Sequence, residues 1–163
     1  MTSTRTAELT LPSDKQIRIV REFDAPRELV WEAYTTPELV RRWWHARRGE
    51  VTSIAIDLRV GGSWRYAMTT TEGGFEVAFH GEYRELVPHE RIVSTEVYEG
   101  GAGGTESEAL NIVTFTEADG HTTLEILMQL DSRETRDAVL ATGMEDGLQD
   151  ALDLLEQTAA GLR

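Results

Sequence analysis

The stretch FDAPRELVWEAYTTPELVRRWW, residues 23–44, decides the fold of this chain. It holds two helix-start signals, Asp24-Ala25-Pro26 and Thr35-Thr36-Pro37, and each combines a polar capping residue with a proline suited to a first helical turn. Apolar residues follow each signal at helical spacing: Leu29, Val30 and Ala33 after the first, and Leu39, Val40, Trp43 and Trp44 after the second. The stretch therefore predicts two short helices in tandem.

Strand patterns flank these helices on both sides. Before them, Ile17, Ile19 and Phe23 alternate with polar residues, and Arg21 is the odd member of this apolar set. After them, period-two alternation predicts six more strands, separated by residues that favour turns. These separators are Gly61-Gly62, Gly73-Gly74, Pro88-His89, the glycine-rich loop 100–104 and Asp119-Gly120.

A long amphipathic helix is predicted from Glu134 to the end of the chain. Its apolar stripe advances in steps of three or four: Leu140, Met144, Leu148, Leu152, Leu155, Ala159 and Leu162. One strand, two short helices, six strands and one long helix make an α+β layout, in which an antiparallel sheet buries one face against helices.

Composition predicts one globular domain. The chain has 163 residues, of which 40% are hydrophobic, and this is enough for one core. Residues 1–14 are polar and aperiodic, so we expect a flexible N-terminal tail followed by a single domain over 15–163. The first fifteen residues contain no apolar leader, and no apolar run approaches the roughly 20 residues that span a bilayer. These two observations predict a cytoplasmic protein.

Charge argues against two classes of partner. The formal net charge is -13, and residues 99–163 carry 14 acidic side chains against 3 basic ones. Such a surface repels phosphate backbones and anionic lipids, so neither nucleic acid nor a membrane is an expected partner. A small hydrophobic ligand is the expected partner, and a homodimer remains open.

No strong catalytic or metal-binding pattern is present. Cysteine is absent, and the four histidines (His45, His80, His89 and His121) lack ligand spacing, so we expect neither a metal nor a cofactor. The glycine-rich loop 100–104 lacks the lysine of a phosphate-binding loop. The basic cluster around Trp43 and Trp44 is interpreted as helix packing with solvent-facing arginines, rather than as an RNA-stacking surface.

Four motifs together resemble a known family. They are FDAPRELVWEAYTTPELVRRWW, the D-x-R-x-G-G-x-W of Asp57–Trp64, GEYRELVPHERIV and the C-terminal GMEDGLQDALDLL. Over about residues 16–160 the chain resembles bacterial single-domain proteins of the heat-shock-protein-90 ATPase activator homologue family, in the SRPBCC or START-like superfamily. The resemblance implies a helix-grip fold like that of the birch-pollen allergen, in which a curved antiparallel sheet wraps around the long C-terminal helix and encloses a hydrophobic cavity.

The implied cavity gives the residues of the candidate site. Side chains that share strand or helix faces toward it are Trp64, Tyr66, Phe79, Tyr83, Asn111, Met144 and Leu148. Trp44 and His45 begin a loop that is the candidate lid. Many relatives have Gly-Trp where this chain has Gly147-Leu148, a smaller apolar group.

Three functions stay open at this stage. Binding of a small hydrophobic or aromatic molecule is favoured, because no catalytic constellation is present and no catalytic residue is assigned. A polyketide cyclase, aromatase or hydrolase that uses a pocket Tyr, His or Arg is the enzymatic alternative. A chaperone-interaction module is the third, and it is the least favoured because the eukaryotic activator has an additional N-terminal domain.

Overall fold

The computed structural model describes residues 6–99 and 108–162, and these form one eight-stranded sheet with helices against it. Every strand pair is antiparallel, and the strand order is β1-β2-β8-β7-β6-β5-β4-β3. The elements are β1 (Glu8–Thr10), β2 (Gln16–Phe23), α1 (Arg27–Thr35), α2 (Pro37–Val40), β3 (Gly49–Ile56), β4 (Ser63–Thr70), β5 (Glu76–Val87), β6 (Arg91–Glu99), β7 (Glu108–Ala118), β8 (His121–Gln129), α3 (Arg133–Ala141) and α4 (Met144–Ala160).

Strand register brings the apolar alternation of each strand onto one face. Ile19 on β2 lies opposite Ile126 on β8, which lies opposite Val113 on β7, and Val113 lies opposite Ile92 on β6. All four are buried, together with Leu152 and Leu155 of α4. The sheet curves around α4, and two short helices follow β2, so the helix-grip architecture predicted from the sequence is confirmed.

The C-terminal helical region differs from the prediction of one continuous helix. Gly143 has a φ of 80°, which ends α3 and starts α4 with a change of direction. Only a residue without Cβ adopts this left-handed conformation freely, so the break depends on glycine. The apolar stripe crosses the break, because Leu140 precedes it and Met144 follows it, and this hid the break in the sequence pattern.

The capping signals act differently from the expectation. Asp24 does not cap α1: the N-cap is Pro26, and no side-chain cap is formed. Instead, Glu117 of β7 accepts a hydrogen bond of 2.8 Å from the backbone N–H of Arg27. Thr36 is the N-cap of α2 but makes no side-chain hydrogen bond there, while Pro37 takes the first helical turn as predicted.

Part of the predicted tail is ordered as an edge strand. Leu9 of β1 lies opposite Ile19, and the side-chain amide of Gln149 on α4 pairs with both backbone groups of Ala7, at 2.9 and 2.7 Å. The prediction of a flexible tail over 1–14 therefore does not hold for residues 8–10, because a strand of three residues is too short to show a period in the sequence. The predicted glycine-rich loop 100–104 lies outside the described residues.

Arg21, the odd member of the apolar set, is a buried cation that ties β2 to α4. It is 1% exposed, and its Nη1 and Nη2 atoms lie 2.9 Å from Asp153 Oδ1 and 3.2 Å from Glu156 Oε1. The guanidinium also stands 5.1 Å from the centre of the Phe23 ring. Pairing with two carboxylates offsets the cost of placing a charge in the core.

The helices of the described residues were also considered as membrane spans. None of them combines the length and the apolar character needed to cross a bilayer.

Candidate functional site

The predicted cavity residues of the sheet lie on one face, across four adjacent strands. The register sets Tyr66 of β4 opposite Phe79 of β5, and Tyr83 of β5 opposite Ser94 of β6. Ser94 in turn lies opposite Asn111 of β7. This is the same concave face that holds the buried apolar core, so the strands present these side chains toward α4.

Aromatic contacts join this face to the segment after α2. The Trp64 and Tyr66 rings have centroids 4.9 Å apart. Trp44 stands edge-on to both Tyr66 and Phe79, with centroid distances of 5.5 and 6.1 Å. A residue predicted as part of a lid therefore contacts two predicted cavity residues directly. His45 does not join them in any ring contact, and its Nδ1 accepts a local hydrogen bond from the backbone N–H of Arg47 at 3.0 Å.

Helix α4 supplies the opposite side of the site. Met144 and Leu148 are partly buried and pack against the apolar core, whereas Leu152, one turn further along, is 1% exposed. The segment after Trp44 is fastened to the same helix, because Arg48 Nη1 lies 2.8 Å from Asp150 Oδ2. Ala46 and Arg47 have φ values of 51° and 60°, a left-handed conformation that costs energy in residues with a Cβ.

Glu96 is a functional candidate that sequence reasoning missed. Register places it on the concave face of β6, and its Oε2 accepts a hydrogen bond of 2.9 Å from Asn111 Nδ2. In the sequence of β6, the apolar residues Val93 and Val97 favour an alternation in which they face inward and Glu96 faces outward. The one available signal was Asn111, which alternates with Val113 and Phe115 on the neighbouring strand and so marks a polar position on the inner face.

The surroundings of Glu96 change the proton affinity of several groups. Burial raises the pKa of the Glu96 carboxyl above its ordinary value, and the hydrogen bond from Asn111 opposes this only in part. Burial also raises the pKa of Tyr34 and Tyr66, and the negative charge of Glu96 adds to both shifts. Tyr34, on α1, is a second residue that the sequence did not indicate. These phenols are protonated donors at neutral pH.

Residual exposure on the concave face shows that α4 does not close against it completely. Trp64 and Val113 are buried, yet Tyr66, Phe79, Glu96 and Asn111 on the same face each keep part of their surface accessible. These inward-facing side chains are therefore not sealed against α4. The candidate site is this partly accessible space on the inner face of β4–β7, which is apolar and aromatic and has a carboxyl and an amide among its side chains.

A second depression lies outside this space. It is a cleft of about 730 Å³ lined by Arg47, Arg48, Thr70, Thr71, Glu72, Gly73 and Phe75. None of the predicted cavity residues lines it. Phe75 precedes β5 and is 70% exposed. The cleft is formed by the tip of the β4–β5 hairpin and the segment that follows Trp44.

Two polar clusters lie outside the candidate site. Asp57 and Arg59 form an exposed ion pair of 2.8 Å within the turn before β4. His80 Nδ1 lies 2.8 Å from Glu99 Oε2, and Arg65 holds the pKa of Glu99 below its usual value. Within residues 6–99 and 108–162, no three His, Asp or Glu side chains are grouped as metal ligands.

Comparisons with known proteins agree with the fold described above. Residues 24–160 match the model of the family described as Activator of Hsp90 ATPase homolog 1-like protein. A crystal structure of a Rhodobacter sphaeroides protein is 26% identical with a TM-score of 0.86, covering 96% of this chain and 99% of that one. A Chromobacterium violaceum protein is 26% identical with a TM-score of 0.78, covering 90% and 98%. An Arthrobacter aurescens protein, 20% identical with a TM-score of 0.83 and coverage of 94% and 91%, shares the fold. No curated protein matches the chain.

Proposed function

This chain belongs to the family of Activator of Hsp90 ATPase homolog 1-like proteins, and from that premise we propose that it binds a small hydrophobic or aromatic molecule between the sheet and α4. The observation that carries the proposal is the partial exposure of inward-facing Tyr66 and Phe79 beside a helix that buries Leu152 fully. Apolar surface left accessible in the interior gains free energy when a ligand covers it.

Trp44 supports the proposal as a closing group. Its ring already touches Tyr66 and Phe79, and Ala46 and Arg47 just after it hold a strained left-handed backbone. Arg48, which pairs with Asp150, anchors the far end of this segment to α4. Movement of this segment would release the backbone strain beside Trp44, so we assign ligand entry to the Trp44 side of the space.

The proposal is tested by titrating the protein with the neutral fluorescent probe N-phenyl-1-naphthylamine. Wild type is expected to bind the probe saturably. Leu148→Trp places a large ring in the space and is expected to weaken binding about tenfold, the equivalent of about 1.4 kcal/mol.

Gln157→Trp is the matched control for this titration, because it adds the same ring to an exposed position of the same helix. It is expected to bind the probe like wild type. Absence of saturable binding to wild type, or equal weakening by both substitutions, would contradict the proposed function.

A further inference from the structure

Glu96 lacks the ionic partner that an inward-facing carboxylate requires. No Lys, Arg or His side chain among residues 6–99 and 108–162 makes an ion pair with it, and its only hydrogen bond in this part of the chain comes from Asn111. By contrast, Arg47 and Arg48, the basic residues of the segment after Trp44, both pair with Asp150. A carboxylate that faces inward without a cation carries a desolvation cost that is only partly offset.

Asn111 is also incompletely satisfied. Its amide nitrogen donates to Glu96, but its Oδ1 atom is buried without a hydrogen-bond partner within the described chain. Oδ1 is also closed off from a ligand, so Asn111 acts here through its amide nitrogen, which holds the Glu96 carboxyl in place. The acceptor that a ligand can reach is the Glu96 carboxylate, because its side chain stays partly accessible.

Aromatic rings and overall charge favour a cation as this donor group. Trp44, Tyr66 and Phe79 supply ring faces on the same side of the sheet, and ammonium groups are attracted to such faces. The chain carries a net charge of -13, and α4 begins with Glu145 and Asp146 beside Met144. The resulting negative potential draws cations toward this end of the helix and repels anions.

We propose that the ligand of this site carries an amino group, which binds as an ammonium to the Glu96 carboxylate while its apolar body lies against Tyr66 and Phe79. This inference rests on the proposed function and narrows its ligand to hydrophobic amines. The carboxylate then gains a counter-ion, while the Asn111 amide nitrogen holds it in place.

The affinity for an amine should depend on pH in a defined direction. Glu96 is faced by Tyr34 from α1, Tyr66 from β4 and Asn111 from β7, and none of these supplies a positive charge. Burial raises the pKa of Glu96, so its carboxyl takes up a proton at a higher pH than an ordinary glutamate. Amine binding should therefore be strong at pH 8 and weaken as the pH falls through this raised pKa, while the ammonium stays protonated.

The test compares three probes of one shape: 2-ethylnaphthalene, 2-naphthylmethylamine and 2-naphthylacetic acid, each titrated by calorimetry at pH 8 and pH 5. Wild type should bind the amine about 10- to 100-fold more tightly than the hydrocarbon at pH 8, the range expected of a hydrogen-bonded charge. This preference should shrink at pH 5. Glu96→Gln should abolish it at both pH values.

The outcomes separate this inference from the proposed function. If 2-ethylnaphthalene binds but the amine shows no preference, or if the acid is preferred, the hydrophobic site stands and the amine assignment is overturned. If none of the probes binds wild type, the proposed function fails as well. Glu99→Gln, on the outer side of the same strand, is the control that should keep the amine preference.

Discussion

Replacing Arg21 with methionine is expected to lower the free energy of unfolding by about 3 to 5 kcal/mol, the usual cost of removing one partner of a buried ion pair. Methionine fills much of the same volume, so the loss reports the charge and not a cavity. The substitution removes the Arg21 guanidinium from both Glu156 and Asp153, and with it the ionic contacts between β2 and α4. Urea denaturation followed by circular dichroism measures the change.

Arg18→Met is the matched control for Arg21→Met. Arg18 lies on the same strand, but its side chain is 42% exposed and pairs with Glu125 across the outer face. Exposed ion pairs contribute about 0 to 1 kcal/mol, so this variant should remain within that range of wild type. Equal losses in the two variants would contradict the structural role assigned to Arg21.

Leu152→Ala is expected to lower the free energy of unfolding by about 2 to 5 kcal/mol, through lost apolar burial and the cavity that remains. Leu152 is 1% exposed and lies at the centre of the stripe by which α4 packs against the sheet. The same substitution at Leu58, which is 41% exposed, should cost no more than about 0.5 kcal/mol. A loss at Leu152 as small as that at Leu58 would place α4 off the core.

The fold was predictable because each element has its own local pattern. The alternation of Ile17, Ile19 and Phe23 defines a strand without reference to any other part of the chain, and the stripe of α4 defines its buried face. Gly143 and β1 were missed for different reasons. Gly143 breaks the helix but leaves the apolar spacing intact. The strand β1 has only three residues, too few to show alternation, and the segment before it is held by Gln149, far away in the sequence.

The candidate site was only partly predictable, because its polar residues depend on strand register. The aromatic residues follow from the faces of single strands, as with Phe79 and Tyr83 on β5. Glu96 could be placed inward only once β6 was paired with β7, since its own strand has apolar residues on both faces. Arg21 likewise stood out as an exception in its strand, but its carboxylate partners come from a helix more than a hundred residues later.

Ligand binding between the sheet and α4 can be observed directly by an NMR titration of the methyl-labelled protein with 2-ethylnaphthalene. We expect saturable shifts of the methyl groups of Met128, Met144 and Leu148, which lie on the inner faces of β8 and α4. The methyl groups of Leu110 and Leu127, on the outer face of β7 and β8, should stay unchanged. Shifts confined to Thr70 and Thr71 in the outer cleft, or none up to the solubility of the probe, would contradict binding at this site.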